Sequence, residues 1–302
     1  MRTLCALILA LAPQQKPAEV PPARWAPIPQ GTRFSFQWSF SLKYSGNRGG
    51  TPQLHTESRE VQAELVADQE VREGGSLRIE LGTVTWTFAN ADFEVKVTRD
   101  EKGQLKDSVR FLATKEKPAG AEKKGKERAK VFLDELSRPQ AFPVRQGPLL
   151  VGGTWSCGDV GNGLFDWMLL HEDLTKDGRA AGTTWEQDYG TTDNSKEEPG
   201  VPRDETQKMK FKASASKDAL KVVGTYASSV TKPPDVYGTE TSKHSCTKEW
   251  SFVDGAFAGG KRTISVTYSR PSKEKFWNQS STFSVQETLT IRKKGGAEEP
   301  KR

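Results

Sequence analysis

The residues able to do chemistry are few: Cys157 and Cys246, His171 and His244, and Asp159 beside the first cysteine. A thiolate at Cys157 with His171 or His244 as its base would make a hydrolase of the nucleophilic type. The run Trp155-Ser156-Cys157-Gly158-Asp159 lacks the small residue two positions before and after that a nucleophile elbow needs, so no catalytic residue is assigned. Two cysteines and two histidines could also hold zinc, but only His244 and Cys246 stand at close ligand spacing, and no metal site is assigned. Asp188, Asp193, Asn194, Glu197 and Glu198 gather oxygen ligands without the spacing of a calcium loop, which leaves them a solvated acidic loop. Asn278-Gln279-Ser280 fits a glycosylation acceptor. No phosphate loop or dinucleotide fingerprint is present, and no cofactor is expected.

The economical use of the cysteines is a disulfide between Cys157 and Cys246, closing a loop of about ninety residues and contributing about 2–4 kcal/mol. That pairing needs an oxidising compartment, and the N-terminus supplies the export signal. Arg2 followed by the apolar Leu4–Ala12, with Ala10-Leu11-Ala12 as the cleavage site, has the layout of a signal peptide over residues 1–12. Nine apolar residues are too few to span a bilayer, so no transmembrane segment is expected. Cys5 lies inside the apolar run without the small residue that precedes a lipid-modified cysteine. Pro13 to Gln30 holds six prolines, which remove amide donors and fix φ, and it reads as an extended linker. The chain is thus expected to be exported, periplasmic or extracellular.

The formal charge of +6 has a local origin. Between Lys115 and Lys130 seven basic residues face three acidic ones, and between Arg292 and Arg302 five face two, so the remainder is about neutral. A nucleic-acid groove spreads its basic residues along strands among exposed aromatics, and no such partner is expected.

The elements that must position any site are strands. Phe34, Phe36, Trp38, Phe40, Leu42 and Tyr44 alternate with Ser35, Gln37, Ser39, Ser41 and Lys43, a strand of nearly twelve residues with one apolar face. Such length implies a tall, curved sheet. Val61, Ala63, Leu65 and Ala67 continue the pattern, then Leu77, Ile79 and Leu81, a bulge at Gly82, and Val84, Trp86 and Phe88. Phe93–Val97, a turn at Asp100–Gly103 and Leu105–Phe111 complete a meander over residues 31–113.

Residues 114–147 read as a charged loop and extended connector, because Thr114–Lys130 shows no apolar periodicity and Pro139, Pro143 and Pro148 follow. Val131–Leu136 fits a strand end or one helical turn. A second block, residues 148–292, opens at Gly152-Gly153-Thr154-Trp155, and 293–302 form a disordered basic tail. Within the block Leu164–Leu170 is ambiguous by periodicity, and strands are predicted at Thr206–Ser216, Leu220–Ser228, Cys246–Val253, Lys261–Arg270 and Ser280–Ile291, with hairpin turns at Lys217-Asp218 and Asp254-Gly255. The fold class is all-β: a large antiparallel curved sheet, as half-barrel, barrel or sandwich, with almost no helix; the recurring Gly-Thr dipeptides fit either two similar β blocks or simply the usual chemistry of strand starts.

Aromatic stripes remain. Phe34, Phe36, Trp38, Phe40, Trp86, Phe88, Trp167 and Trp185 build either a core or, on an incompletely covered curved sheet, a concave apolar surface for a lipid or other apolar ligand. The run Phe142-Pro143…Pro148…Val151-Gly152-Gly153-Thr154-Trp155 resembles a segment of uncharacterised secreted β-rich bacterial proteins, a likeness of about fifteen residues that implies fold and compartment and no catalytic residue. The tall sheet behind an export signal is similar, as a fold, to the curved half-barrels of periplasmic lipoprotein carriers. The expected function is a non-enzymatic binding or envelope-associated protein, with the Cys157 hydrolase as the alternative.

Overall fold

A computed structural model describes residues 20–23, 26–48, 51–72, 75–112, 120–137, 140–143, 178–188, 208–216, 219–235, 238–270 and 280–295. They form one antiparallel, unclosed curved sheet and a single helix. The first meander comprises β1 (Arg33–Arg48), β2 (Thr51–Val66), β3 (Ser76–Asn90), β4 (Phe93–Arg99) and β5 (Leu105–Phe111). After the helix α1 (Ala121–Ser137) and the short β6 (Gln140–Pro143) come β7 (Thr184–Asp188), β8 (Lys208–Ser216), β9 (Ala219–Asp235), β10 (Gly238–Val253), β11 (Ala256–Arg270) and β12 (Ser280–Lys293). The strand order is β5-β4-β3-β2-β1-β12-β11-β10-β9-β8-β7, with β6 added on β3. The two sequence blocks are therefore two fans of one sheet, joined where β1 pairs with β12 from Phe34–Lys293 to Asn47–Ser280.

Local chemistry explains the turns. Asp254 and Gly255 both have positive φ, 50° and 77°, and they close the two-residue hairpin between Val253 and Ala256. That is the type I′ geometry whose twist matches the strands it joins. At Asp100 the side chain accepts from the amides of Lys102 and Gln104, and Gly103 turns the chain at φ 80°. The bulge expected at Gly82 is present: Val61 pairs with Val84 but Ala63 with Leu81, and a Cβ on Gly82 would lie 2.9 Å from the Gln62 carbonyl.

Parity sorts the two faces. Phe34, Phe36, Trp38, Phe40 and Leu42 are buried on the concave side, as are Val61, Ala63 and Leu65 of β2, Trp86 and Phe88 of β3, Trp250 and Phe252 of β10, and Val285, Leu289 and Ile291 of β12. The convex side carries the polar set, including a surface network in which Arg33 bridges Glu64 and Glu80. Those two carboxylates stand directly opposite each other on β2 and β3, a repulsive arrangement until the guanidinium is placed between them. Two glycines let large rings lie flat on the inner face. The Trp250 ring occupies the space a Cβ on Gly260 would need, and the Phe211 ring does the same at Gly224, each across a register pair.

Three expectations need correction. The charged interval is not all loop, because residues 121–137 are helical. Its buried stripe is Ala121, Gly125, Ala129, Phe132 and Leu136, at helical spacing but mostly of side chains too small to register as an apolar period. Gly125 lets the helix approach the sheet closely, since a Cβ there would meet Val109 at 2.7 Å. The basic tail is not disordered from its start either: Lys293 ends β12, and the Lys294 amide donates to the Arg33 carbonyl. Finally, the proline-rich linker does more than connect. Ala23 bridges Arg179, Ile28 bridges Val71, and both side chains are buried, so this segment clips one end of the sheet to points ahead of β7 and after β2. Residues 1–12, Leu164–Leu170 and the Thr191–Asp204 loop lie outside the described residues.

A candidate ligand face with a belt of buried charge

Of the eight aromatic residues singled out from sequence, Phe34, Phe36, Trp38, Phe40, Trp86 and Phe88 share the concave face and are buried. Trp185 is half-buried at the β7 edge, stacked on Phe211 at 5.1 Å with the Arg179 guanidinium 4.7 Å from its ring centre. Trp167 lies outside the described residues. So do Cys157, Asp159, His171, Asp193, Asn194, Glu197, Glu198 and Asn278, and with them the Cys157–Cys246 pairing and the alternative hydrolase site. Cys246 is buried on the inner face of β10 between Tyr226 and Ile264, and His244 takes the register position opposite Val266. Among the described residues no three His, Cys, Asp or Glu side chains gather as a metal site would require, and no helix is long and apolar enough to cross a membrane.

The concave face is not uniformly apolar. Four charged residues share the core with its aromatics, at exposures of 7% for Glu57, 0% for Lys248, 2% for Arg262 and 6% for Glu287. Register places them in a belt across the middle of the sheet. Lys248 on β10 stands opposite Arg262 on β11, and Ile264, two residues on, stands opposite Glu287 on β12. Glu287 pairs with Phe40 on β1, which pairs with Arg59 on β2. Glu287 and Arg59 are therefore about 10 Å apart, two inter-strand spacings, with Phe40 between. Above and below the belt the face returns to Leu42 and Val285 on one side, Phe36 and Ile291 on the other.

Each charge is held by specific partners. Arg262 donates from Nε and Nη2 to Glu287 Oε1 at 2.9 and 2.5 Å. On β2, Arg59 Nε and Nη2 both lie 2.6 Å from Glu57 Oε1, and the Trp86 indole N–H donates to the same oxygen at 2.8 Å. His55, two residues earlier on the same face, sets Nε2 3.8 Å from Glu57 Oε2 and its ring edge-on to Phe88 at 4.7 Å. Burial pushes the Glu57 carboxyl up, but the His55, Arg59 and Trp86 groups around it outweigh that and hold it down at about 2. The Arg59 guanidinium also lies over Trp86 at 4.3 Å and near Phe40 at 5.7 Å.

Helix α1 covers the β3–β5 part of this face. Phe132 stacks against Trp86, and the Arg128 guanidinium lies 4.2 Å from the Phe88 ring centre. Its outer side carries the lysines of the basic interval, where Lys126 pairs with Glu122 and Lys123 with Glu127 at helical spacing. The belt itself was missed from the sequence. The signal was available, because each charge falls in phase with the apolar residues of its strand, as Lys248 does between Cys246 and Trp250.

No family model matches the chain, and no curated protein sequence matches it. Among solved structures the chain is similar to one titled "Lipid-protein interactions in lipovitellin", with a TM-score of 0.35 and 8% identity. The likeness covers 89% of this chain and 26% of the other, so the chain spans about a quarter of that protein's length.

Proposed function

We propose that the protein is a non-enzymatic binder that holds an apolar molecule along the concave face of its sheet, in an exported setting. The observation that carries this reading is the composition of that face: a run of aromatic side chains across β1, β3 and β10 crossed by a belt of buried charge. Packing favours the buried aromatics, but it does not account for the charge that crosses them. A core built for stability gains by replacing buried ion pairs with apolar groups, whereas a ligand site needs a large apolar surface and a few fixed polar groups. The N-terminal strap at Ala23 and Ile28 covers one end of the face. Helix α1 is the element that must yield to a ligand; it rests on the sheet through Phe132 and Leu136, with Leu133 partly buried and Arg128 over Phe88.

Two measurements test this. Organic extraction of the purified full chain, followed by mass spectrometry, should recover an apolar molecule. Titration of stripped protein with an uncharged environment-sensitive naphthylamine dye should give saturable, blue-shifted fluorescence. Absence of both would end the carrier reading. The exported setting has its own test: protein recovered from the periplasm or medium and denatured without reductant should show no alkylatable thiol, and two after reduction. A thiol that labels without reduction would remove the Cys157–Cys246 bond from the proposal.

A further inference from the structure

We propose that the free edge of the Arg59 guanidinium is the acceptor for an anionic head group, so that the ligand is an amphipathic anion with a carboxylate or phosphate head and an apolar tail. This rests on the carrier reading above and names the chemistry of the ligand. Arg59 presents five N–H donors; Nε donates a hydrogen bond to Glu57 Oε1, and Nη2 lies in ion-pair contact with the same oxygen at 2.6 Å. The donors of Nη1 meet no protein acceptor among the described residues, and the side chain keeps 11% of its surface exposed where Glu57 keeps 6%. The guanidinium cannot swing away to find another partner, because Glu57 grips one edge while Trp86 and Phe40 lie against it. It is a preorganised fork with one edge committed and one edge open, the arrangement that binds planar anions bidentately.

A second polar atom lies in the same place. His55 Nε2 is buried and has only the other oxygen of Glu57 near it, at 3.8 Å, beyond hydrogen-bond reach. A buried nitrogen with no hydrogen bond, beside an open guanidinium edge, favours a polar guest. From Arg59 the aromatic surface runs directly onto Phe40 and Trp86, which gives the tail of such a molecule an apolar path beginning at its head group.

The test is a competition titration on the full chain with dansylundecanoic acid and its methyl ester, which share a tail and differ in the head. The acid should bind about tenfold tighter or more, the size expected when a charged hydrogen-bonded head is lost. Arg59→Gln should bring acid and ester within about twofold of each other, and Arg59→Lys should keep part of the difference because it keeps the charge and loses the fork. Equal binding of acid and ester to the unmodified protein would overturn the head-group assignment and leave the carrier reading standing; binding of neither would end both. That comparison needs no variant, so it survives a failure of Arg59→Gln to fold. Displacement of the acid by lysophosphatidate but not by millimolar inorganic phosphate is the expected source test, and displacement by phosphate alone would overturn the amphipathic part of the proposal.

Discussion

Replacing Arg262 with methionine is expected to destabilise the fold by about 3–5 kcal/mol, whereas Arg262→Met combined with Glu287→Leu should recover most of that loss. Both charged groups are buried on the inner face, and Arg262 supplies two hydrogen bonds to a single oxygen of Glu287. Removing the guanidinium alone strands a carboxylate in the core, where its desolvation is no longer offset. Removing both leaves two apolar side chains of similar volume between Trp38, Leu289 and Ile264, where apolar groups already pack. Urea unfolding followed by tryptophan fluorescence reads both variants. A single variant within about 1 kcal/mol of the unmodified protein would mean that the pair is solvated in solution and that the belt is not buried.

What the sequence makes legible is local. The alternation from Phe34 to Tyr44 specifies β1 and its inner face, the glycine at 82 marks a bulge, and Asp254-Gly255 identifies its hairpin. Pairing between distant strands carries no such signature. That β1 meets β12 depends on two apolar faces of equal length finding each other across the chain, and nothing in either strand alone encodes the partner. Helix α1 escapes notice because periodicity analysis weighs side-chain size: Ala121, Gly125 and Ala129 face the sheet, yet what they contribute is closeness of approach rather than apolar area. The charged belt is hidden for the opposite reason. Glu57, Arg59, Arg262 and Glu287 are conspicuous residues, but a charge in a strand is ordinarily assigned to the wet face. Parity decides otherwise, since Glu287 is in phase with Val285 and Leu289, and Glu57 and Arg59 are in phase with Val61 and Ala63.

Acid should remove stability through Glu57 in a defined window. Its carboxyl is held at about 2 in the folded protein against an ordinary value of 4.5, so the folded state binds the proton less readily than the unfolded chain does. A depressed carboxyl contributes stability that is fully present above the unfolded value and is lost as pH falls through the folded one. Unfolding free energy is therefore expected to be flat from neutral pH to about 5 and to fall by on the order of 3 kcal/mol between about 4.5 and 2. Glu64, Asp68 and Glu80 are also held low, by Lys294, Arg33 and Arg78, but these pairs are solvent-exposed and weaken in salt. The Glu57 contribution survives salt because Glu57 and Trp86 are buried and Arg59 and His55 are largely shielded from solvent. Measured in high salt, then, the acid limb of the stability curve should persist in the unmodified protein and flatten in Glu57→Gln, which cannot titrate. If the two proteins show the same acid limb under those conditions, Glu57 is not held by Arg59, His55 and Trp86 in solution, and the guanidinium is not fixed with one edge open.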